Sequence, residues 1–425
     1  MTVDELLHHV RDFRWHHKVT AETVTAAALA DGRAVEVPTF INEFWTSRQR
    51  AAHSLHEISY RACFKPQLPR FFIDRLTEPG DVVYDPFAGR GTTPLEAALA
   101  GRVAVANDIN PLTAVLLAPR LAPPALADIR RRLAGINLQR RVELPPDFDV
   151  FYHPDTLQEI SALRAYLLER ELDGTMDPVD RWIRMVAVNR LTGHSPGFFS
   201  VYTLPPNQAT SVNAQRKINA KREQVPPRRD VRALIDRKSR ALLKDCQSVP
   251  LAGLGDQEPA GETPAPGALA LLVTRPAHAT PEIDSLSVDL VVTSPPFLKV
   301  VDYKGDNWLR CWFCGIDPDA VHLTNLHSVD AWQTEMTLAF QELHRVLKVG
   351  GCVAFEVGEV RGGAIRLEET VVPAGIDAGL DPVFILINAQ RFTKTSNLWG
   401  VDNNTIGTNT NRVVVFTKRA PVKGR

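Results

Sequence analysis

The stretch Asp81-Val-Val-Tyr-Asp-Pro-Phe-Ala-Gly-Arg-Gly-Thr-Thr93 combines the two local features that decide the fold. Its first half is a short apolar run that predicts a buried strand. Its second half contains Gly89 and Gly91, which let a backbone turn sharply and approach a ligand closely. Residues 94–101 then predict a helix that stops at Gly101. A strand, a glycine turn and a helix in this order are typical of an α/β protein with a parallel sheet.

A second informative stretch is Thr293-Ser-Pro-Pro-Phe297, which follows the β-branched run Val288 to Val292. Proline fixes φ and removes backbone donors, so the carbonyls of this loop stay free to accept hydrogen bonds. In open α/β sheets, ligands bind beyond the carboxyl ends of the strands, near the point where the strand order reverses. The glycine loop and the proline loop both follow strands. We therefore expect them at one edge of one sheet, facing the same ligand.

The remaining pattern extends this α/β interpretation. Further strands are predicted over residues 102–107, 268–273 and 352–357, and an amphipathic helix over 332–347. Residues 382–389 and 412–418 suit a closing antiparallel pair. Between about 112 and 266 the alternation of strands and helices breaks, and helical spacing dominates. The fold class predicted is a doubly wound, Rossmann-like α/β sheet with a long, largely helical insertion.

Composition limits the class of protein. The chain of 425 residues has no net charge, no apolar run that could cross a bilayer and no signal-peptide pattern, so we expect a cytoplasmic protein without a membrane partner. Its five cysteines are odd in number and scattered, which disfavours a disulfide framework. Cys311 and Cys314 have the spacing of half a metal site, but no second pair is near them. Buried thiols in a helix are therefore favoured, and no metal is predicted.

One segment is strongly basic although the whole chain is neutral. Between Arg216 and Lys244, eleven basic residues stand against only Glu223, Asp230 and Asp236. Such a segment can follow a phosphate backbone, whereas the alternative is an ordinary solvated helix face. We favour double-stranded DNA as the partner. The candidate DNA-binding residues are Arg216, Lys217, Lys221, Arg222, Arg228 and Arg229.

The two loops together resemble the paired signatures of the amino-methylating DNA methyltransferases, in the form Asp-Pro-Phe-x-Gly-x-Gly-Thr-Thr and Thr-Ser-Pro-Pro-Phe. That family transfers a methyl group from S-adenosylmethionine to an exocyclic base nitrogen. The Ser-Pro-Pro-Phe form is most similar to the branch that acts on cytosine N4. The resemblance implies an S-adenosylmethionine-dependent DNA methyltransferase.

The resemblance also implies a cofactor pocket. The segment Phe64-Lys-Pro66 matches a Phe-x-Pro core that lines the pocket in the family, and the glycine loop would hold the methionine part of the cofactor. Asp108, at the end of the second strand, would accept hydrogen bonds from the ribose hydroxyls; otherwise it is a turn aspartate before Asn110. Where the family often has an acid near the adenine, this chain has Arg275. The candidate cofactor-binding residues are Phe64, Pro66, Asp85, Pro86, Phe87, Ala88, Gly89, Gly91, Thr92, Thr93, Asp108, Ile109 and Thr293.

The candidate catalytic residues are Ser294, Pro295, Pro296 and Phe297. The Ser294 hydroxyl and the Pro295 carbonyl can accept hydrogen bonds from both N–H bonds of an exocyclic amine, and Phe297 can stack on a flipped base. Singly, each residue has a simpler explanation as a cap, a strand end or a core residue. Carbon-5 methylation is disfavoured because this loop contains no cysteine nucleophile.

Several alternatives remain at this point. Adenine N6, RNA and a protein glutamine are other acceptors, because related Pro-Pro loops serve all of them. A catalytically inactive fold used as a DNA-binding module is the alternative outside enzymes. We recognise no nuclease signature, so a partner restriction endonuclease would be a separate protein. The predicted divisions are an N-terminal helical cap (1–55), the cofactor-binding half (56–111), an insertion for target recognition (112–266) and the catalytic half (267–425).

Overall fold

The structure is a computed structural model, and it describes most of the chain. The described residues are 1–46, 52–61, 63–203, 209–247, 270–296, 302–321, 328–360, 365–391 and 408–420.

Strands account for the centre of the molecule, and nine of those in the described part of the chain form one sheet. Two short hairpins, β1–β2 and β10–β11, stand apart from it. The strands are β1 (Arg14–Trp15), β2 (Lys18–Val19), β3 (Ala21–Ala28), β4 (Ala34–Asn42), β5 (Val82–Asp85), β6 (Val103–Asn107), β7 (Leu271–Val273), β8 (Val288–Thr293), β9 (Leu347–Val357), β10 (Glu359–Val360), β11 (Ile365–Arg366), β12 (Asp381–Arg391) and β13 (Thr408–Thr417).

The order across the sheet is β3-β4-β12-β13-β9-β8-β5-β6-β7. Every neighbouring pair is parallel except β3–β4, β12–β13 and β13–β9. From β5 the chain first builds outward through β6 and β7, and then returns to the other side of β5 with β8. The order therefore reverses between β5 and β8, which is where open α/β sheets bind ligands. This is the doubly wound α/β fold that the sequence predicts.

Helices cover both faces of the sheet because successive strand residues point to opposite sides. On β5, Val83 packs in one core with α1 and α2, whereas Tyr84 packs in another with α11 and α12. The helices are α1 (Val3–Asp12), α2 (Gln67–Leu76), α3 (Thr92–Leu99), α4 (Leu112–Leu121), α5 (Leu126–Gly135), α6 (Pro154–Leu172), α7 (Pro178–Val188), α8 (Val212–Arg222), α9 (Val231–Leu242), α10 (Tyr303–Cys314), α11 (Val329–Val346) and α12 (Leu367–Asp377).

The prediction of an N-terminal helical cap over residues 1–55 is wrong for most of that segment. Only α1 is a regular α-helix among its described residues, and β3 and β4 instead extend the sheet beyond β12. The physical reason is pairing: β4 runs parallel to β12 and pairs Phe40 with Leu386. Phe40 then lies fully buried against Phe384, with ring centroids 6.0 Å apart. The N-terminal segment therefore forms strands because it pairs with the edge of the sheet, and its local sequence is not the deciding factor.

The described part of the insertion (112–203 and 209–247) is mainly helical, and it shares one hydrophobic core with α10 and the start of the cofactor-binding half. Helices α5 to α7 and α9 pack with α4 and α10, with Trp182 and Phe199 fully buried among them. Cys311 and Cys314 lie buried in α10 as free thiols, which confirms the helical interpretation of this pair.

Within the described ranges, no helix combines the length and the apolar character that a bilayer span needs. No cluster of three or more acidic, cysteine or histidine side chains there could hold a metal ion.

Candidate active site

The glycine loop and the proline loop emerge side by side at one edge of the sheet. They follow β5 and β8, which are adjacent parallel strands paired at Tyr84 and Val291. Two side-chain bonds join the strand ends. The Thr293 hydroxyl donates to an Asp85 carboxylate oxygen at 2.6 Å, and the Thr93 hydroxyl donates to the Val292 carbonyl at 2.9 Å. The two signature segments are therefore in direct contact, as their positions in the sequence predict.

The glycine loop depends on its two glycines for different reasons. Gly89 (φ +53°) and Gly91 (φ +77°) both have left-handed backbones. A Cβ atom at Gly91 would lie 2.6 Å from Leu117 Cδ1, so this glycine lets α3 pack closely against α4. A Cβ at Gly89 would meet nothing nearer than Tyr60 Cε1 at 3.7 Å. At Gly89, then, the backbone rather than crowding requires glycine, and the space beside it is open to a ligand.

Neighbouring residues hold the start of this loop in place. The Phe87 N–H donates to Asp85 at 3.1 Å, and the Ala88 N–H donates to the Asn107 carbonyl at 2.9 Å. The Asn107 side chain returns a bond to the Pro86 carbonyl at 3.1 Å. Asn107 is fully buried, so β6 fixes the path of the loop as well as carrying Asp108 at its end.

Asp108 joins the ends of β5 and β6. One carboxylate oxygen accepts the Gly89 N–H at 2.7 Å, and the other accepts the Asn110 N–H at 2.9 Å. Burial raises the pKa of Asp108, while these two backbone donors oppose that rise. A carboxylate has about four acceptor sites, so each oxygen can still accept one more donor. Asp108 and the adjacent Ile109 thus border the open space beside Gly89, and the turn role and a ligand role for Asp108 are compatible.

Arg90, which the sequence motif leaves as a variable position between the two glycines, holds the backbone around the glycine loop in place. Its side chain is buried and donates to the Ile58 carbonyl at 3.2 Å, the Phe64 carbonyl at 3.5 Å and the Thr92 hydroxyl at 3.2 Å. It therefore fastens the segment that contains Phe64 and Pro66 over the glycine loop. The sequence shows a basic residue between two glycines of a turn, which could have indicated a role in holding the loop. Its carbonyl partners could not be identified, because they are more than twenty residues away in sequence.

The proline loop is partly enclosed. Thr293 and Pro295 are buried, and Ser294 and Pro296 are half-buried. The Pro296 carbonyl accepts the indole N–H of Trp332 at 3.0 Å, so α11 holds the far side of the loop. Phe297, the fourth candidate catalytic residue, lies outside the described residues. The loop thus presents Ser294 at the same edge as Gly89, with its proline backbone held from behind.

Asp85 has a raised pKa, and from this we predict how the stability of the protein depends on pH. Burial raises its pKa to about 7, although hydrogen bonds from Thr293 and Phe87 oppose the shift. An unfolded aspartate titrates near 3.9, so the folded protein should lose stability as pH rises from about 4 to about 7. The loss is at most about 4 kcal/mol, at 1.36 kcal/mol per pH unit.

Asp85→Asn keeps a side-chain carbonyl for both donors and cannot ionise. We expect urea unfolding at pH 5 and pH 8 to show a smaller difference in the free energy of unfolding for this variant than for the wild type. The variant should be the more stable of the two at pH 8. An unchanged pH dependence would contradict the assignment of the raised pKa to Asp85.

The residues that follow the proline loop form the start of α10. The Asp302 carboxylate caps it by accepting the Gly305 N–H at 2.9 Å. Asp306 pairs with Arg61 at 2.7 Å, and Trp308 packs edge-on against Phe148 of the insertion, with centroids 5.5 Å apart. This segment therefore opens a helix that ties the catalytic half to the insertion.

The basic segment proves to be partly neutralised by the fold. Arg216 pairs with Asp147, and Arg228 lies 3.5 Å from Asp155. The Arg222 guanidinium stacks over the Tyr202 ring at 3.8 Å from its centroid. Arg229 is half-buried, and its backbone N–H donates to Thr156 at 2.8 Å. Lys217 and Lys221 are exposed on α8, and among the described residues neither forms an ion pair.

The site fits a nucleoside-containing cofactor with a methionine part. Asp108 keeps acceptor capacity for two hydroxyl donors, and the space beside the left-handed backbone of Gly89 is uncrowded. The N-terminus of α3 adds backbone N–H groups that the helix itself leaves unpaired. A doubly wound sheet with these groups at its switch point suits S-adenosylmethionine, the cofactor that the resemblance of the two loops implies.

Comparison with known proteins finds similarity over one part of the chain. Residues 17–114 match the family model described as DNA methylase, N6_N4_Mtase, which confirms the resemblance to the amino-methylating enzymes. The type II methyltransferase M.MjaII of Methanocaldococcus jannaschii is 32% identical over 74 residues, which span 17% of this chain and 14% of that relative.

Solved structures match this chain with low TM-scores and low identities. The rRNA methyltransferase aviRa from Streptomyces viridochromogenes has a TM-score of 0.31 at 13% identity, covering 85% of this chain and 89% of its own. The TehB-like S-adenosylmethionine-dependent methyltransferase from Corynebacterium glutamicum has a TM-score of 0.29 at 10% identity, covering 83% and 87%.

Proposed function

We propose that the protein is a site-specific DNA methyltransferase that moves a methyl group from S-adenosylmethionine to an exocyclic base amine. The base is cytosine and the acceptor atom is N4, reached by direct in-line transfer to a flipped-out base. The observation that carries this proposal is the contact between the two loops through Thr293 and Asp85 at the end of adjacent strands. That contact puts the half of the site suited to the cofactor beside the half suited to an amine.

Positioning is the main chemical task of the protein. An exocyclic amine is a poor nucleophile because its lone pair is delocalised into the ring. Acceptors at Ser294 and at the Pro295 carbonyl would bind both of its N–H bonds and turn the lone pair out of the ring plane. Such preorganised polar groups are the largest single source of catalysis in many enzymes. The bound cofactor supplies an electrophilic methyl group on a sulfonium, and Asp108, Gly89 and the Phe64 segment would hold it.

Analysis of the methylated product identifies which base accepts the methyl group. After expression in a host without DNA methylation, nucleoside mass spectrometry should find N4-methylcytosine, and sequencing of modified positions should give the recognition context. N6-methyladenine would move the assignment to the adenine branch, in which Asp or Asn more often stands where Ser294 does. Sequencing the same DNA also tests site specificity, because methylation scattered over many contexts would contradict it.

The substrate class needs a separate test. Labelled methyl transfer should favour double-stranded DNA over RNA and over a glutamine-containing protein. Transfer only to RNA or protein would overturn the DNA assignment while keeping the chemistry. Binding of DNA without any transfer, together with no binding of S-adenosylhomocysteine, would identify an inactive module. A restriction endonuclease that cuts the same site unless it is methylated would be the separate partner that this function suggests.

We assign DNA backbone contact to the insertion, with the exposed face of α8 as the contact surface. Lys217→Glu/Lys221→Glu should weaken DNA binding, because both lysines are exposed and form no ion pair within the described ranges. The slope of log affinity against log salt should shrink by about 0.9 for each phosphate that the variant no longer neutralises. Fluorescence anisotropy with a duplex at several salt concentrations measures both quantities.

A matched control carries the same charge change elsewhere. Arg14→Glu/Lys18→Glu alters two exposed basic residues of the β1–β2 hairpin. It should lower affinity only slightly and leave the salt slope unchanged. If both double variants change the slope equally, α8 is not the contact surface and the effect is one of net charge.

A further inference from the structure

We infer that Glu356 is a positioning residue for the methyl-transfer site, because it holds the hydroxyl of Ser294 in the orientation in which its lone pairs face the target amine. The inference deepens the proposed function and rests on it. Glu356 belongs to none of the sequence signatures, and it stands sixty-two residues beyond Ser294 in the chain.

The strand register brings the two residues together. β8 and β9 are parallel, and Thr293 pairs with Phe355. The next residues along each strand are Ser294 and Glu356, so they leave the sheet side by side at the same edge. Their side chains are therefore neighbours, and Ser294 lowers the pKa of Glu356 as a donor to its carboxylate would. Ser294 lies one residue beyond the end of β8, so the pairing of β8 with β9 sets its position beside Glu356.

Glu356 is also buried and held from its other side. Only 7% of the residue is exposed. Asn411 of β13 donates its side-chain N–H to one carboxylate oxygen at 3.1 Å. Burial raises the pKa of Glu356, and the bonds from Ser294 and Asn411 oppose that rise. A buried carboxylate between two donors accepts a hydrogen bond from each of them. It can therefore orient a neighbouring hydroxyl only with the proton pointing towards the carboxylate.

That orientation matters for the chemistry. A serine hydroxyl has one proton and two lone pairs, and its rotation is free unless a partner fixes it. If the proton points to Glu356, the lone pairs of Ser294 stay free to accept one N–H bond of the base amine, and the Pro295 carbonyl accepts the other. If the proton points to the amine instead, donor faces donor and the amine is repelled. An aspartate in the same loop position would be an acceptor without help, whereas a serine needs a partner that accepts its proton.

The test replaces Glu356 by a residue of the same shape. In Glu356→Gln, Asn411 favours the amide oxygen on its side, which turns the amide NH₂ towards Ser294. The serine then accepts from the glutamine and loses the orientation that suits the amine. We expect kcat for DNA methylation to fall about ten- to a hundredfold. Affinity for S-adenosylhomocysteine by calorimetry, KM for DNA and the thermal midpoint should change little.

A double-variant cycle separates positioning from a general structural effect. If Glu356 acts through Ser294, then Glu356→Gln should have almost no further effect on kcat in the Ser294→Ala background. Glu342→Gln is the matched control, since Glu342 is another buried glutamate of the core and accepts from the Thr280 hydroxyl at 2.7 Å. This control should lower the thermal midpoint and spare kcat.

The outcomes are distinguishable. Full activity of Glu356→Gln, with Ser294→Ala strongly impaired, would overturn the role of Glu356 and keep the proposed function. Additive losses in the double variant would show that Glu356 acts independently of Ser294, and would also overturn the inference. If the wild type transfers no methyl group to DNA under any condition, the proposed function itself fails.

Discussion

Ser294→Ala should lower kcat for DNA methylation by about a hundred- to a thousandfold, the usual cost of losing one preorganised polar group that acts on the transition state. The variant removes the hydroxyl that is assigned to the amine, while Pro295 and Pro296 keep the backbone path. Affinity for S-adenosylhomocysteine should stay within about twofold of the wild type, because the proposed function assigns the Ser294 hydroxyl to the amine and not to the cofactor. Single-turnover kinetics with a methylatable duplex and calorimetry with S-adenosylhomocysteine measure the two effects separately.

A second serine beside the same strand provides the control. Ser287 stands just before β8, at the opposite edge of the sheet, and its hydroxyl donates to the Asp284 carbonyl at 2.7 Å. Ser287→Ala should leave both kcat and cofactor affinity unchanged. If Ser294→Ala lowered cofactor affinity and kcat by the same factor, the serine would belong to the cofactor pocket, and its assignment as the acceptor for the amine would be wrong.

Asp108→Ala should weaken cofactor binding by about a hundredfold or more. Two effects act in the same direction. The variant removes acceptors for two ribose hydroxyls, at about 1.5–3 kcal/mol for each hydrogen bond to a charged group. It also releases the Gly89 and Asn110 N–H groups that Asp108 holds at 2.7 and 2.9 Å. Because a tenfold change in affinity is about 1.4 kcal/mol, calorimetry with S-adenosylhomocysteine should resolve the loss easily.

Asp81→Ala is the matched control for this variant. Asp81 precedes β5 at the edge of the sheet away from the site, and it accepts the Glu78 N–H at 2.7 Å. Its removal should cost some thermal stability without changing cofactor affinity. Wild-type affinity in Asp108→Ala would mean that the ribose is bound elsewhere and that Asp108 serves only the turn. Saturating cofactor should restore kcat in Asp108→Ala but leave Ser294→Ala impaired, which separates the two roles.

Local sequence was sufficient for elements whose pattern of apolar and polar residues is continuous along the chain. The helix α11 and the antiparallel pair β12–β13 fall on the predicted segments, extended at one or both ends. Leu347 illustrates the error at boundaries: predicted as the end of a helix, it opens β9 because it pairs with Val288. The pairing partner lies on another strand, so no local pattern could reveal that boundary.

The prediction of a helical N-terminal segment was wrong, and the expected charge of the basic segment was too high, for a related reason. β4 is a strand because β12 offers it a partner, and its sequence alone does not demand one. The charges of the basic segment were visible, but their neutralisers were not. Asp147 and Asp155, which pair with Arg216 and Arg228, belong to a different part of the insertion. Charge counts along the chain therefore overstated the free positive charge of this surface.

Residue order alone established the α/β class, the two loops and the cofactor family, because each depends on contiguous residues whose backbone requirements are local. The three-dimensional fold decided which residues meet at those loops: Arg90 bonds the Phe64 carbonyl, Thr293 bonds Asp85, and the strand register brings Ser294 beside Glu356. These contacts link residues from 26 to 208 positions apart. They arise from the register of parallel strands, which is set by hydrogen bonding and burial across the whole sheet.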